Sequence, residues 1–460
     1  MFEFRLNEKK YSHIHFIGIG GISMSALAEL VLKYGYRVSG SDQAANKRTQ
    51  HLASLGIEVF KGHHPSQIEG SDLVIYTDAV SLDNQELSYA IKQKIDVVDR
   101  ASFLGAVMKN YDISIAVSGT HGKTTTTSMI TAILKDQTFN PTILLGGDSD
   151  VIKGNAKIGD EAFFLTEACE YRANILKYFP TTAIVLNIDE DHLDYFDNIQ
   201  HIIETFKGYA SHLGPEDFLI INVDDPHAQD VTQASQAKCI SLSSQKEADY
   251  QAKNIQIQSG GRPSYDLYIH GKKEGSVQLQ VMGLHNVNNS LAAIAACHIN
   301  GLALEDCIQG VKDYTGVHRR LEYKGEKDQV VVFDDYAHHP TEITSTLKAL
   351  RPIVKNRLIC IFQPHTFTRT RLLLDSFSKA FSGADQIIIT DIYAAREKDY
   401  GDIHSRTLVE AIKDQGDAAS YISSKDQVLA YLKEVLEPGD LLVTIGAGDI
   451  YEVGEAFIGS

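Results

Sequence analysis

Cysteine is scarce in this chain. The five cysteines among 460 residues, at positions 169, 239, 297, 307 and 360, are odd in number, scattered and never spaced as Cys-x-x-Cys. That argues against a disulfide framework and predicts buried, reduced thiols in a cytoplasmic protein. No apolar run approaches the ~18–20 residues that a membrane helix needs. The opening residues, Met-Phe-Glu-Phe-Arg-Leu-Asn-Glu-Lys-Lys, carry no secretory pattern. Positive charge is in deficit, with 43 basic against 60 acidic residues and a net charge of −17. No nucleic acid and no membrane is therefore expected as a partner. Small anionic ligands are still accessible, because a local cradle outweighs a distant negative field. Internal repeats and low-complexity tracts are also lacking. The remaining composition, 43% hydrophobic and 22% charged, is that of a soluble globular protein. The length predicts about three domains.

The richest stretch runs from residue 113 to 128. Ile113 to Val117 is a short β-branched apolar run and reads as a buried strand. Gly119 and Gly122 break it, Lys123 follows, and Thr124 and Thr125 open a helix. A strand, a glycine turn, a lysine and a helix N-terminus form a phosphate cradle, because backbone N–H groups and the helix dipole both favour an anion there. Lys123 adds charge for the outer phosphates, and Thr124 offers a hydroxyl to Mg²⁺. The turn is the short Gly-x-x-Gly-Lys-Thr form, with Val117 where a longer loop has its first glycine.

A second glycine turn opens the chain. Residues 13 to 18 read as a strand, Gly18-Ile-Gly20-Gly21 as a turn, and the next segment as a helix to about Tyr34. Arg37 to Asp42 reads as a second strand, with Asp42 about twenty residues beyond the glycines, as in a Rossmann-like β-α-β unit. Ser23 replaces the third glycine of the dinucleotide fingerprint, and the unit ends near Asn110. Both features weaken the case for a nicotinamide-dependent oxidoreductase.

The apolar runs 142–145, 162–166, 183–187 and 217–223 predict a mostly parallel central sheet. Alternating patterns at 255–258, 265–269 and 277–281 predict a small antiparallel sheet. A third α/β unit begins near Val330, with strands at 330–333, 358–362, 386–390 and 441–445. Gly316 and Gly325 bracket the expected hinge before it.

Several strands end in polar residues. Glu167 and His192 follow two central strands, and in a parallel sheet they share an edge with the phosphate turn, where a metal would sit. Magnesium needs one or two protein oxygens, so Glu167 suits it better than the imidazole of His192. Asn286, with Asn289 one turn on, suits either a helix N-cap or a ligand. Arg320 at the hinge can reach phosphates. Asp335-Tyr336-Ala-His338-His-Pro, then Phe-Gln-Pro-His365-Thr-Phe-Thr-Arg369, then Asp391-Ile-Tyr393 and Gly446-Ala-Gly-Asp449 end the strands of the third unit.

This ordered set resembles the Mur ligase family along essentially the whole chain, and most closely its alanine-adding members. The resemblance implies an α/β protein of three domains. These are a Rossmann-like UDP-sugar-binding domain at 1–110, a central P-loop-type ATP- and Mg-binding domain at 111–322, and a C-terminal Rossmann-like domain at 323–460 closing over ATP and the amino acid. It implies ATP as co-substrate, Mg²⁺ (or Mn²⁺) as cofactor, and UDP-N-acetylmuramate and L-alanine as partners. Gly119, Thr120, His121, Gly122, Lys123, Thr124, Thr125, Asn286, Asn289, Arg320 and Asp335 would serve the nucleotide, and Thr124, Glu167 and His192 the metal. Gly18, Gly20, Gly21, Ser41, Asp42 and His63 would hold the UDP-sugar, and Tyr336, His338, His365 and Arg369 the amino acid. Lys123, Arg320 and His338 would be catalytic, with His338 the candidate base. Some members carry arginine where this chain has Thr366. A related ligase that attaches a recovered tripeptide to the same sugar is the nearest alternative. The sequence leaves a monomer or a homodimer open.

Overall fold

A computed structural model describes residues 2–460 apart from positions 136, 138, 161 and 396. The first sheet contains β1 (His13–Ile17), β2 (Arg37–Asp42), β3 (Glu58–Lys61), β4 (Leu73–Tyr76) and β5 (Asp96–Asp99), in the order β3-β2-β1-β4-β5. All its pairings are parallel. β1 is central and fully buried, which is why its sequence is an unbroken apolar and histidine run.

The second sheet has ten strands: β6 (Ile113–Ser118), β7 (Thr142–Ser149), β8 (Gly154–Lys157), β9 (Phe163–Glu167), β10 (Thr182–Val185), β11 (Phe218–Asn222), β12 (Lys238–Ser243), β13 (Tyr250–Ile257), β14 (Pro263–Ile269) and β15 (Lys272–Gln278). β6 lies between β9 and β10, parallel to both. The carboxyl ends of these three strands therefore meet at the phosphate turn. The antiparallel strands do not stand apart as a small sheet: β13 pairs in parallel with β12, and β14 and β15 extend the same sheet edge. Alternation marks their wet face but says nothing about which sheet they join.

The third sheet runs β16-β17-β21-β18-β19-β20, from β16 (Glu322–Lys327), β17 (Val330–Asp335), β18 (Leu358–Phe362), β19 (Gln386–Ile389), β20 (Ala419–Tyr421) and β21 (Leu441–Ile445). Only the edge strand β16 is antiparallel to its neighbour. One continuous apolar cluster joins the first two units, running from Phe4 and Phe103 through Phe164 to Phe206. The third unit has clusters of its own around Phe362, Phe381 and Ile361. Each fully buried apolar side chain stabilises by about 1.5–3 kcal/mol. Leu193 and Met282 of the central unit pack against the third unit's cluster, and polar contacts between the two units surround the site.

Candidate active site

The turn after β6 is shaped by backbone geometry. Gly122 has φ +84°, and a Cβ there would lie 2.7 Å from Asn289 Oδ1, so both the conformation and the space call for glycine. The helix Lys123–Leu134 follows with no side-chain cap, leaving its first N–H groups free for an anion. Thr120 N donates to Asn187 O at 3.1 Å, and His121 N to Asn187 Oδ1 at 2.8 Å, which ties the turn to the end of β10. Thr125 lines the adjoining cavity.

Lys123 folds back over the turn. Its Nζ donates to Gly119 O at 2.5 Å, to Thr120 O at 3.0 Å and to both Glu170 oxygens at 3.1 and 3.2 Å. Burial opposes its charge, but Glu170 outweighs burial and raises the ammonium's pKa. Glu170 is only 2% exposed, so this is a buried ion pair.

Thr124 Oγ1 donates to Glu167 Oε2 at 2.9 Å, and Gly146 N donates to Glu167 Oε1 at 2.7 Å. Two hard oxygen donors thus sit side by side at the phosphate turn, the donor chemistry that suits magnesium. His192, with φ +54°, points at Glu170 Oε1 (3.7 Å) and Asp191 Oδ2 (3.9 Å) instead. The structure brings Thr124 and Glu167 together and attaches His192 to the lysine's partner.

The third sheet closes the other side. A cavity of about 1190 Å³ lies between the units, lined by His121, Gly122, Thr125, Asn286, Asn289, Arg320 and Asp335. Asn286 is not an N-cap. The helix starts at His285 after Leu284, and Asn286 Nδ2 donates back to Met282 O at 2.7 Å while its Oδ1 accepts from Asn289 at 2.9 Å. Asp335 accepts from Ala337 N and Thr346 Oγ1, both at 2.9 Å. Burial pushes its carboxyl up to about 6.

Glu342 is the hub that sequence reading missed. It accepts from the His338 N–H at 3.0 Å and faces His121 Nδ1 at 3.4 Å and Arg320 Nη1 at 3.7 Å. Burial disfavours its charge, yet His338, His121 and Arg320 hold it well below the usual carboxylate range. A signal existed: His339-Pro340-Thr-Glu342 forms a capping box with proline at the first helical position. Burial alone would lower the pKa of His121, but Asp189 (3.2 Å) and Glu342 raise it to about 9.

Tyr336 packs against both hinge arginines, 5.0 Å from the Arg319 guanidinium and 5.2 Å from that of Arg320. Arg319, also missed, locks the hinge by donating to Gly446 O at 2.6 Å, Gly448 O at 2.9 Å and Asp334 Oδ2 at 3.1 Å. His338 Nδ1 donates to Tyr336 O at 3.0 Å, which leaves Nε2 as the acceptor nitrogen. Burial pushes both His338 and His365 down to about 4, so both rings are neutral near pH 7. Their centroids are 5.8 Å apart. Arg369 Nη1 donates to His365 O at 3.0 Å. Thr366 Oγ1 donates to Glu397 at 2.7 Å.

The glycine turn of the first sheet lies apart from this cavity. Gly18 N donates to Ser41 O at 2.8 Å, and Gly20 N to Asp42 Oδ2 at 2.9 Å, so Asp42 shapes the turn. Gly21 precedes the helix Ile22–Lys33 without a side-chain cap. Ser41 donates to the buried Glu86 at 2.5 Å, and His63 Nδ1 meets the same oxygen at 3.0 Å. Glu86, on a helix with no apparent motif, was not legible in the sequence.

Comparison with known proteins matches three family models in order. They are described as Mur ligase family, catalytic domain (residues 13–112), Mur ligase middle domain (117–297) and Mur ligase, glutamate ligase domain (319–448). The UDP-N-acetylmuramate--L-alanine ligase of Acetivibrio thermocellus is 46% identical over 454 residues, covering 98% of this chain and 97% of that one. Among solved structures, the UDP-N-acetylmuramate-alanine ligase of Thermotoga maritima superposes with a TM-score of 0.78 at 28% identity, over 98% of each chain. A murein peptide ligase from Psychrobacter arcticus superposes with a TM-score of 0.71 at 26% identity, over 97% of this chain and 98% of that one. With three family models tiling it in sequence and relatives aligned over nearly its whole length, the chain belongs to the Mur ligase family.

Proposed function

We propose that this protein is an ATP-dependent carboxylate–amine ligase. It joins L-alanine to the lactoyl carboxylate of UDP-N-acetylmuramate in peptidoglycan precursor synthesis, giving ADP and phosphate. The observation that carries this reading is the cavity that places a phosphate turn opposite Asp335 and Arg320, in a chain 46% identical end to end to an alanine ligase. Residues 1–110 hold the UDP-sugar, 111–322 hold ATP, and 323–460 close over ATP and the amino acid. ATP and a nucleotide sugar as substrates fit a cytoplasmic enzyme.

The lactoyl carboxylate attacks the γ-phosphorus of ATP to give an acyl phosphate. The amine of alanine then attacks the acyl carbon, and phosphate leaves. Lys123 holds the outer phosphates at the turn, and Arg320 neutralises charge from the hinge side. Lys123 must exchange its contact with Glu170 for phosphate oxygens as ATP binds. Thr124 and Glu167 would hold magnesium, with His192 nearby. Manganese is the second candidate, since it accepts imidazole more readily. A metal held by these residues would supply charge neutralisation for the phosphate oxygens. The amine must lose a proton, and His338 Nε2 is the free acceptor nitrogen near the third-unit set. Asn286, Asn289 and Asp335 contact the nucleoside.

The test is phosphate release with Mg-ATP and UDP-N-acetylmuramate, comparing L-alanine with the murein tripeptide. Alanine-dependent turnover is expected. Turnover with the tripeptide alone would reassign the chain to the recycling ligases.

A further inference from the structure

Arg100 is a half-buried cation, and among the described residues no carboxylate lies within ion-pair distance of it. It follows β5 and opens the helix Arg100–Met108. β5 is parallel to β4 and β4 to β1, so Arg100 shares the carboxyl edge of the first sheet with the glycine turn. The helix it opens presses on the central unit. A Cβ on Gly105 would lie 1.8 Å from Lys177 O, so the seam leaves no slack.

Two neutral hydroxyls touch the guanidinium, both at long range. Nη1 lies 3.5 Å from Ser23 Oγ, in the first turn after the glycines, and 3.3 Å from the hydroxyl of the buried Tyr178 in the central unit. Asp78 acts on Arg100 from farther away, and that carboxylate already accepts from Asn174 at 2.6 Å. The contacts with Ser23 and Tyr178 set the guanidinium at the seam between the glycine turn and the central unit, and its charge, with that of Lys123, acts on the Cys169 thiol. An arginine fork held between two neutral hydroxyls retains most of its donors for an incoming anion.

We infer that Arg100 binds the lactoyl carboxylate of the sugar substrate as it passes from the glycine turn to the γ-phosphate at Lys123. This rests on the function proposed above. A UDP-sugar anchored at Gly18 to Gly21 must extend its reacting carboxylate across this seam. A fixed guanidinium there orients the carboxylate and favours sugars that carry one.

The experiment is calorimetric titration of wild type, Arg100→Gln and Arg100→Lys with two ligands. UDP-N-acetylmuramate carries the lactoyl carboxylate, and UDP-N-acetylglucosamine lacks it. Wild type should prefer the muramate. Arg100→Gln should weaken muramate binding at least tenfold, leave glucosamine binding unchanged and leave ATP binding unchanged. Arg100→Lys should narrow the preference without abolishing it, and it carries the test where the glutamine variant does not fold. Equal weakening for both sugars would overturn the assignment in favour of the shared diphosphate. An unchanged preference in both variants would leave Arg100 as a seam residue and overturn it too. Failure of wild type to bind either sugar would instead remove the proposed function, and the inference with it.

Discussion

Arg369 reaches from the third unit to Asp191 of the central one, placing Nε at 3.1 Å and Nη2 at 3.0 Å from a single carboxylate oxygen. Both side chains are largely buried, at 13% and 8% exposure. Burial opposes ionisation of Asp191, but His192 and Arg369 hold it well below the normal carboxylate range. The pair joins the central and third units, so it should help hold them closed. Asp191→Asn replaces a charge-assisted contact, ordinarily worth about 1.5–3 kcal/mol, with a neutral one. Hydrogen exchange at 188–192 and 364–370 should accelerate in the variant. Unchanged protection would show that the closure rests on the other contacts between the units, among them Glu342 to His121, Thr341 to Asp189 and His339 to Glu190.

Lys123→Ala should reduce turnover by about a thousandfold, since a positioned cation on a transferring phosphoryl group contributes several kcal/mol. It should also lower the melting temperature. The mutation leaves Glu170, 2% exposed, with its lysine partner gone, and an orphaned buried charge is strongly destabilising. Lys123→Ala/Glu170→Gln should recover the stability and not the activity. Equal melting temperatures for the single and double variants would mean that Glu170 finds adequate compensation elsewhere, with His192 the nearest candidate.

What could be read from the sequence was local. β6, Gly119, Gly122 and Lys123 are consecutive, and a β-branched run followed by glycines has one reading. The parallel strands of the third unit were legible for the same reason. Buried carboxylates were not. Glu86 and Glu170 bind residues distant in sequence, and a lone glutamate in a polar segment looks solvated until the partner strands are placed; Glu342 carried a local capping-box signal, but its contacts with His121 and Arg320 were hidden in the same way. His192 shows the converse. Its strand was expected at 183–187 and runs Thr182–Val185, and the positive φ of His192 and its turn toward Glu170 depend on a backbone conformation that residue type does not encode. The edge strands β16 and β20 are half-exposed, and β20 has only three residues, so they lack the apolar pattern that marks the interior strands.

Asp335 should impose an acid limb near pH 6. Its folded pKa of about 6 lies above its unfolded value, so the carboxylate that we propose contacts the nucleotide is lost as pH falls through about 6. The same shift means the folded state binds an extra proton between about 4 and 6, so this group favours folding less as pH rises through that window. His338 works in the opposite sense. Its folded pKa of about 4 lies below its unfolded value, so its stabilising contribution is complete above about 6.5 and lost as pH falls toward 4. The acid limb of kcat/KM for ATP should therefore follow Asp335, and Asp335→Asn should give low, flat activity. NMR titration should find His338 neutral at pH 6. A His338 signal midpoint above 6 would reject this division of roles.

Thr124 and Glu167 should behave as one metal site. They touch directly at 2.9 Å, so removing either breaks the same constellation. Thr124→Val and Glu167→Gln should each raise the magnesium concentration needed for half-maximal rate, and the double variant should add little. His192→Ala should combine with Glu167→Gln more nearly additively, because its contacts run to Glu170 and Asp191. Full additivity between Thr124 and Glu167 would separate them.

Acceptor choice should follow the third-unit set of Tyr336, His338, His365 and Arg369. Nη1 of Arg369 is anchored on His365 O at 3.0 Å, and the Asp191 contact uses one carboxylate oxygen, so the fork is rigidly aimed between two units. A free amino acid presents its carboxylate two bonds from its amine. It can meet Arg369 while the amine meets the acyl carbon. A peptide's carboxylate lies farther from its amine and cannot do both, so its rejection should be severe. Glycine lacks one methyl, worth only about 1–3 kcal/mol in an apolar pocket, so its rejection should be mild. Serine should fall between, according to whether its hydroxyl finds a partner. Arg369→Lys should cut kcat/KM for alanine by tenfold or more, because an ammonium cannot copy a planar fork. The measurement is the set of catalytic efficiencies for alanine, serine, glycine and tripeptide in both proteins. A lysine variant with unchanged alanine efficiency would leave Arg369 as a closure residue that pairs with Asp191 and never meets the substrate.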